Sequence, residues 1–302
     1  MNENLIKNLQ SVELIANYSK VRRMLNNPLK YIKAIFHKEY IYPKTKMEKV
    51  VETYLFFGKK MKVALPASTD IYLTGGKSHS SEIRLALFLI KNLMMNDKFL
   101  DIGAHYGYFT LLASEIVGEN GQVISFEPTS KSFQLLKLNT EPAKNIKCFQ
   151  KAISNTEDNI VFYEFPNLHS EYNSTDITQF EKESWYKNTP PTKVEVKCTT
   201  IDKITHSESF NPKIIKIDVE GAEYKVINGG LSYFQNHSPF IVMEYLEPKR
   251  KNETHVDALN ALLNIGYKSH IIDKDGNLEP INNVDNYLIN NNLESDNVVF
   301  IK

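Results

Sequence analysis

Apolar positions near the start of the chain recur at helical spacing. Residues 3–17 place Leu5, Leu9, Val12 and Ile15 on one face, and residues 47–57 show a similar pattern, so a helix is predicted in each stretch. Residues 27–44, between them, mix aromatic residues with lysines. We expect this middle stretch to form a helix or a loop that packs on the main body of the protein.

The next apolar runs are short and end in turn residues. KKMKVALP and TDIYLTGG each predict a short strand, and the two would pair as a hairpin. A helical pattern follows over residues 82–93, and Ser80 or Ser81 is expected to cap it. We therefore expect an accessory extension over residues 1–78, made of helices and a hairpin.

From Lys98 onward, apolar runs of strand length alternate with helical patterns. The predicted strands are KFLDIGA, QVISFEP, IKCFQKAIS, PKIIKIDVEG, PFIVMEYLEP, YKSHIIDKDGN and DNVVFIK, and the predicted helices are YFTLLASEIVG, SKSFQLLKLN, AEYKVINGG and VDALNALLNIG. This alternation is typical of βαβ units, in which a mostly parallel sheet has helices on both faces. The expected fold class is therefore α/β, with one domain over residues 79–302.

Two further predicted strands interrupt this alternation. NIVFYEF and KVEVKCTTID lie on either side of residues 166–192, a polar segment with several aromatic residues. A segment of this length without a regular pattern is usually functional, so we expect an insertion or lid. Tyr172, Trp185 and Tyr186 in it are candidates for stacking on an acceptor, or for anchoring the loop to the body.

Charge and cysteine content exclude several classes of protein. Lys+Arg and Asp+Glu both number 36, so there is no net positive charge of the kind that general nucleic-acid binding requires. Residues 1–62 nevertheless carry thirteen basic residues against five acidic ones. This excess could contact an anionic partner or a membrane surface, although a solvated helical face is the simpler expectation.

The two cysteines and the apolar runs indicate a cytoplasmic protein. Cys148 and Cys198 both lie in predicted strands, without the spacing of a zinc site or a disulfide framework. No run approaches the roughly 20 apolar residues that a membrane span needs, and the first twenty residues lack the pattern of a signal peptide. We therefore expect neither a transmembrane segment nor secretion.

The stretch FLDIGAHYGYFT places an acid and two glycines where a predicted strand turns into a helix. Gly103 and Gly107 would let a ligand approach the backbone at a helix N-terminus. An NAD-binding turn requires G-x-G-x-x-G, but here the middle glycine is absent and Asp101 precedes the first. A carboxylate at this place repels a pyrophosphate and suits an ammonium group. The turn therefore favours S-adenosylmethionine over NAD.

The second strand of the unit adds a residue that suits a nucleoside. QVISFEP ends in Glu127, which would lie next to the first turn at the carboxyl edge of a doubly wound sheet. A carboxylate in that place accepts hydrogen bonds from ribose hydroxyls. We therefore place Glu127 on the cofactor side, together with His105 and with Ala152 of the third strand.

These motifs resemble those of the FkbM-type S-adenosylmethionine-dependent methyltransferases. The matching pieces are FLDIGAHYGYFT, ISFEP with Asn139 after it, CTTID, KIIKIDVEGAEYKVINGG and IVMEYLEP, from about Ser80 to Glu247. The most specific piece is IDVEGAE. Where the family usually has asparagine, this chain has His105, which would donate the same hydrogen bond or reach the substrate side.

The resemblance implies both a fold and a reaction. The fold is a class I (Rossmann-like) sheet of seven mostly parallel strands, with the last strand antiparallel. The reaction is methyl transfer to oxygen on a sugar or glycan, a polyketide or a similar small natural product.

Catalytic candidates lie at the carboxyl ends of predicted strands, where the cofactor crevice opens. Asp218 ends the buried run KIIKID, Glu220 follows it, and Glu244 lies in PFIVMEYLEP. Any of the three could orient a hydroxyl or take its proton. Three acids together could also bind Mg²⁺, but nothing in their spacing requires a metal, and we predict none. His79 could lie over the cofactor, although an ordinary loop histidine near a helix cap is the simpler expectation.

The leading hypothesis is an S-adenosylmethionine-dependent O-methyltransferase. The alternatives are an NAD-dependent oxidoreductase or epimerase on a similar sheet, and a cofactor-binding scaffold without catalysis. Methylation of nucleic-acid amino groups is disfavoured because D-V-E-G stands where those enzymes have [DN]-P-P-[YF]. The sequence does not identify the acceptor, and it leaves a homodimer open.

Overall fold

The structure is a computed structural model, and it describes residues 2–166, 186–188 and 190–302. The helices are α1 (Asn2–Ala16), α2 (Lys20–Asn26), α3 (Pro28–Phe36), α4 (Tyr42–Thr45), α5 (Thr69–Thr74), α6 (Ser80–Asn92), α7 (Tyr108–Val117), α8 (Ser130–Thr140), α9 (Ile201–Ser207), α10 (Glu223–Asn228), α11 (Leu231–Asn236), α12 (Glu253–Asn264) and α13 (Val284–Asn291). The strands are β1 (Lys49–Tyr54), β2 (Lys60–Leu65), β3 (Lys98–Ile102), β4 (Gln122–Phe126), β5 (Ile146–Phe149), β6 (Ala152–Ile153), β7 (Asn159–Glu164), β8 (Thr192–Thr199), β9 (Ile214–Ile217), β10 (Phe240–Leu246), β11 (Lys268–Ile272), β12 (Leu278–Pro280) and β13 (Ser295–Ile301). A π-helical turn (His37–Ile41) joins α3 to α4.

The main sheet confirms the predicted architecture and adds one strand to it. Within the described residues its order is β12-β11-β13-β10-β9-β3-β4-β5. The central strands β5, β4, β3, β9 and β10 are parallel, whereas β13 is antiparallel to both of its neighbours. The seven expected strands are therefore present with the last one reversed. The short edge strand β12, which the sequence pattern did not distinguish from the turn after β11, makes an eighth.

Each central strand buries alternate side chains on opposite faces of the sheet. Phe99 packs in the core on the α7 face, and Leu100 packs in the core on the other face. Helices α1, α6 and α7 cover the first core, and α9 to α13 contribute to the second. The prediction of helices on both faces is therefore confirmed. In consequence, the carboxyl ends of β3, β4, β9 and β10 meet at one edge of the sheet.

In the extension, the helix at the start of the chain and the strand KKMKVALP, which forms β2, are confirmed, and two predictions are wrong. Residues 2–16 form α1 as expected, but residues 49–54 form strand β1 and not a helix, and TDIYLT forms helix α5 and not a strand. The hairpin partner of β2 is therefore β1. In β1 the buried residues Val51 and Thr53 alternate with exposed ones, which is the period of a strand.

Helix α5 forms in spite of its β-branched residues. It buries Ile71 and Tyr72, and Gly75 ends it in a left-handed conformation (φ 78°) that few other residues adopt. Packing of these two side chains on the core therefore determines the local structure more strongly than β propensity does.

Several short elements were not predicted. Helices α9, α11 and α13 have six to eight residues each, and their patterns are too brief to separate from the flanking turns. IKCFQKAIS was expected to form one strand but divides into β5 and β6, and β6 belongs to a separate three-stranded sheet with β8 and β7. Helix α6 begins at Ser80 after the N-cap residue His79.

Two further expectations concern residues of the extension and the insertion. The first core contains residues on both sides of position 78, Leu5 and Phe88 among them, so the division at residues 78 and 79 stays a prediction. Tyr172 and Trp185 lie outside the described residues, whereas the Tyr186 ring contacts the Phe165 ring at 6.1 Å between centroids.

Within the described ranges, no helix combines the length and the apolar character that crossing a membrane requires.

Candidate active site

The turn after β3 brings the backbone of two strands into close contact. Gly103 adopts φ 79°, and a Cβ atom added there would lie 1.8 Å from the carbonyl oxygen of Asp218, at the end of β9. The N–H groups of Gly103 and Ala104 both donate to the Phe126 carbonyl at 3.0 Å. Gly107, at φ 93°, then begins α7. The two glycines thus satisfy a steric requirement, as the sequence pattern suggested.

A buried lysine that sequence analysis missed lies beneath this turn. The Nζ atom of Lys216 is 3.1 Å from Asp218 Oδ2 and 3.5 Å from Asp101 Oδ1, and it donates to the Gly103 carbonyl at 3.3 Å. Asp101 and Lys216 are register partners across β3 and β9. The signal in the sequence was a single charge inside the apolar run IIKID, which indicates a buried cation but does not name its partners.

Asp101 lies behind the cavity wall, where Thr110 and Lys216 contact its two carboxylate oxygens. It is 1% exposed, and its Oδ2 atom accepts a hydrogen bond from the Thr110 hydroxyl at 2.6 Å. Its Oδ1 atom is buried without a hydrogen bond and has Lys216 as its charged neighbour. Burial lowers the pKa of Lys216, but the carboxylates of Asp218 and Asp101 outweigh it and raise the pKa overall. Lys216 is therefore charged at neutral pH.

Glu127 follows β4 and faces the same turn. Its Oε2 atom accepts from the His105 backbone N–H at 2.9 Å, and its Oε1 atom accepts from the N–H and hydroxyl of Thr129. Burial raises the pKa of Glu127 to about 7, against the opposing effect of these hydrogen bonds. A carboxylate has about four acceptor sites, so Glu127 retains capacity for a ligand hydroxyl.

His105 presents a neutral ring to the cavity. Its ring stacks on Tyr106 at 3.7 Å between centroids, and its backbone is left-handed, with φ 49°. Burial lowers the pKa of His105 to about 3, and the positive charge of Lys77 contributes. The ring is therefore uncharged at neutral pH, and it can donate one hydrogen bond through one nitrogen and accept one through the other.

The three catalytic candidates come together at the ends of β9 and β10. Asp218, Glu220 and Glu244 each offer a carboxylate oxygen within 4.8 Å of the other two. Glu244 Oε1 also accepts from the hydroxyl of Ser295 at 2.8 Å, and Glu220 adopts a left-handed backbone with φ 53°. Residues from two neighbouring strands thus form one acidic cluster, which the sequence predicted only as separate strand ends.

The charges within the cluster are unequal. Burial opposes ionisation of Asp218, but the Lys216 ammonium and the charge of Lys77 together outweigh it and lower the pKa of Asp218. Burial and the nearby Asp218 raise the pKa of Glu244 to about 8, and burial and Glu244 raise the pKa of Glu220 well above its usual range. Asp218 is therefore the most easily ionised carboxyl group of the cluster, and Glu220 and Glu244 hold their protons more tightly than ordinary carboxyl groups do.

A cavity of about 360 Å³ connects these groups. Its wall includes Gly103, His105, Glu127, Ala152, Asp218, Glu220 and Glu244 from the sequence prediction. Asp101 and Gly107 are not in the wall and support the turn from behind. The volume lies in the range typical of sites for small ligands.

Residues far from the central motifs complete the wall. Lys77 and Glu82 form an ion pair of 2.9 Å there, next to His79, whose Nδ1 atom lies 2.7 Å from the Ser81 hydroxyl. From the C-terminal side, Arg250 and Ser295 reach the same cavity. Apart from His79, sequence analysis did not single out these residues, because nothing local in the sequence places them near the turn.

The family comparison agrees with this arrangement. A model of the methyltransferase FkbM domain matches residues 101–269, which is more than half of the chain. The chain therefore belongs to the FkbM methyltransferase family, and its fold is that of a class I methyltransferase. No curated protein matches the chain.

Solved structures resemble the chain only distantly. The methyltransferase FkbM of Methylobacillus flagellatus is 16% identical, with a TM-score of 0.42, and the match covers 78% of this chain and 53% of that one. The S-adenosylmethionine-dependent O-methyltransferase of Thermotoga maritima is 12% identical (84% and 77% covered, TM-score 0.39). Aeropyrum pernix fibrillarin with natively bound S-adenosyl-L-methionine is also 12% identical (72% and 74% covered, TM-score 0.39). These values are too low to identify a ligand or an acceptor of this chain.

Proposed function

We propose that this protein transfers a methyl group from S-adenosylmethionine to a hydroxyl oxygen of a sugar, glycan or natural-product acceptor. The observation behind the proposal is that the Gly103 turn, Glu127 and the acidic cluster line one cavity at the carboxyl edge of the sheet. Family membership supports methyl transfer in general, and the acceptor and the attacked atom are our inference.

The residues present suit S-adenosylmethionine. Glu127 retains acceptor capacity for a ribose hydroxyl, and the buried Asp101 Oδ1 atom without a hydrogen bond supplies negative charge behind the turn. Gly103 keeps the turn free of a side chain where the backbones of β3 and β9 meet. His105 and Ala152 line the cavity beside Glu127. In this proposal Asp101 and Gly107 act on the cofactor side as positioning residues.

The cofactor would supply an electrophilic methyl group, so the protein has to orient and deprotonate the acceptor. Asp218, held ionised by Lys216, would accept a hydrogen bond from the acceptor hydroxyl and orient it. Glu244, with its pKa raised to about 8, would take the proton when it is in its ionised form, and Glu220 in its protonated form would donate a hydrogen bond nearby. A base with a pKa near the working pH is well suited to this step. We assign the cluster to proton transfer without a metal.

The polar part of the cavity wall supports a hydroxyl-rich acceptor. Lys77, Glu82, His79 and Arg250 add charged and polar groups to the wall of the same cavity. Such groups can form hydrogen bonds with sugar hydroxyls, which a purely apolar acceptor does not offer. None of these residues except Arg250 lies in the stretch that the family model matches, so this wall would be particular to this chain.

Thermal unfolding with S-adenosylmethionine, S-adenosylhomocysteine or NAD⁺ tests the cofactor. A ligand at about 100 times its Kd adds roughly 2.7 kcal/mol of stability, which raises Tm by several degrees. We expect stabilisation by the two sulfur compounds and none by NAD⁺. In Gly103→Ala the Cβ clash should abolish this shift, and Glu127→Gln takes its place if that variant does not fold.

Gly58→Ala is the matched control. Gly58 also has a positive φ of 86°, but an added Cβ would meet nothing within 4 Å. This variant should lose about 1 kcal/mol to backbone strain and keep the full ligand shift. A shift with NAD⁺ alone, or a shift that survives both site substitutions, would contradict the proposal. Transfer of a labelled methyl group to a panel of sugars then locates the acceptor atom by mass spectrometry.

A further inference from the structure

The helices after α1 expose an unusual amount of apolar surface. Among the described residues, seven large apolar side chains between positions 21 and 40 are exposed, with Leu25 at 70% and Leu29 at 83%. We call this set the N-terminal stripe: Val21, Met24, Leu25, Leu29, Ile32, Phe36 and Tyr40. Helix α2 buries none of its residues. A contiguous exposed patch of this kind usually marks an interaction site.

The second half of the stripe lies on one face of α3 and of the π-helical turn after it. Leu29, Ile32, Phe36 and Tyr40 follow the spacing i, i+3, i+7 and i+11, which places them on one helical face. Phe36 and Tyr40 stack at 5.3 Å between ring centroids. The exposed rings therefore hold each other in place and do not fold back on the body.

The opposite side of α3 is attached to the body. Ala34 and His37 are buried, and Lys30 Nζ donates to the Thr53 hydroxyl at 2.7 Å and to the Tyr72 carbonyl at 3.2 Å. Asn27 caps α3 with its side chain after ending α2, so the bend between the two helices is fixed. The stripe is thus exposed because the other face of α3 is already in use.

The charge around the stripe is strongly positive. Residues 20–46 contain eight lysines and arginines against a single acid, Glu39, although the whole chain has no net charge. Lys20, Arg22, Lys33, Lys38, Lys44 and Lys46 are exposed. Apolar side chains bordered by lysine and arginine are characteristic of helices that lie in the interface of an anionic membrane.

We propose that the N-terminal stripe and its basic border bind the surface of an anionic lipid bilayer. The apolar side chains would enter the region between headgroups and acyl chains, and the basic side chains would contact lipid phosphates. A second copy of the chain is a poorer occupant. A two-fold contact through this surface would bring two positive borders face to face. The stripe does not line the cavity, so this inference is independent of the proposed function.

Vesicle flotation tests the proposal directly. The full-length protein is mixed with phosphatidylcholine vesicles, with or without phosphatidylglycerol, at low and at high salt. We expect the protein to float with the anionic vesicles, to bind at least about tenfold more weakly without phosphatidylglycerol, and to be released by salt. Failure to float with anionic vesicles at low salt would overturn the proposal.

Three variants, each with three substitutions, separate the contribution of the apolar side chains to vesicle binding from that of the basic side chains. Leu25→Ser/Leu29→Ser/Phe36→Ser removes apolar contacts, and Lys33→Gln/Lys38→Gln/Lys44→Gln removes charge. Each should weaken vesicle binding about tenfold or more. The control, Leu138→Ser/Leu263→Ser/Ile289→Ser, removes three apolar side chains that are 41–54% exposed elsewhere on the surface, and it should bind as the native protein does. Thermal unfolding checks that all three variants are folded.

Two results with these variants would contradict a membrane role. Equal vesicle binding by the apolar variant and the native protein would show that the stripe is not the contact. A native dimer in sedimentation that becomes a monomer in the apolar variant would show that a second copy covers the stripe. If Phe36→Trp is introduced together with Trp185→Phe, its fluorescence should shift to shorter wavelength on anionic vesicles, and an unchanged spectrum would exclude insertion.

Discussion

At the scale of single residues, Lys216 is the group on which the site depends most. Its side chain is 4% exposed and lies between two carboxylates that belong to neighbouring strands. Removal of one partner from a buried ion pair leaves an uncompensated charge, which typically costs about 3–5 kcal/mol. We therefore expect Lys216→Met to lower the free energy of unfolding by this amount in urea at neutral pH.

Lys213→Met provides the comparison for Lys216. Lys213 stands three residues earlier and pairs with Asp97 at 2.8 Å, but both side chains are partly exposed. Exposed pairs contribute about 0–1 kcal/mol, so this variant should be nearly as stable as the native protein. Equal losses in the two variants would mean that the charge of Lys216 has no special role.

The raised pKa of Glu244 leads to a prediction about how the stability of the protein depends on pH. This pKa is raised from 4.5 to about 8, mainly by burial, so the folded protein holds a proton that the unfolded chain releases between these values. Stability should therefore fall as pH rises from about 5 to 8, by up to about 1.4 kcal/mol per pH unit for one proton. Glu244→Gln should flatten this slope in urea unfolding with EDTA present.

The exposed Glu157 serves as the control for Glu244. Its side chain is 57% exposed, so Glu157→Gln should leave the pH dependence as it is. A native slope that survives in Glu244→Gln would mean that another group causes the pH dependence and that the pKa of Glu244 is not raised in the folded protein.

Site residues differ in how far the sequence could predict them. Gly103 and Glu127 could be found because each ends a clearly patterned strand, and the topology rule for open sheets then brings them together. The role of Lys216 could not be predicted, because one charge in a buried strand does not indicate which residues pair with it. Lys77 and Glu82 could not either, because only tertiary packing brings them to the cavity.

At the scale of elements, the periodic pattern was sufficient where each strand or helix was long or central. Strands β3, β4, β9 and β10 and helices α7, α8 and α12 lie where the pattern placed them. The periodic pattern failed in the extension, where the apolar positions of residues 47–57 satisfy both the helical period and the strand period. Pairing with β2 in the register Val51↔Val63 decided between them, and pairing of this kind cannot be seen in a local window.

At the scale of the whole molecule, the extension is part of the core that supports the site. Val12 on α1 is 1% exposed, and its methyl groups approach Gly76, next to the cavity residue Lys77. The core around Val12 continues through α6 and α7 to the sheet. The extension and the α/β domain should therefore unfold together, although the sequence suggested two regions.

A pair of substitutions on α1 tests this cooperativity. Val12→Asp buries a charge without a partner and should cost more than about 3 kcal/mol, whereas Leu14→Asp, two residues away and 55% exposed, should cost less than about 0.5 kcal/mol. Urea unfolding followed by far-UV circular dichroism and by ligand binding should show one transition that Val12→Asp shifts as a whole. Loss of α1 structure in Val12→Asp, with the rest of the transition and cofactor binding unchanged, would instead establish the extension as an independent unit. In that case the Lys77 side of the cavity would have to be held by the α/β domain alone.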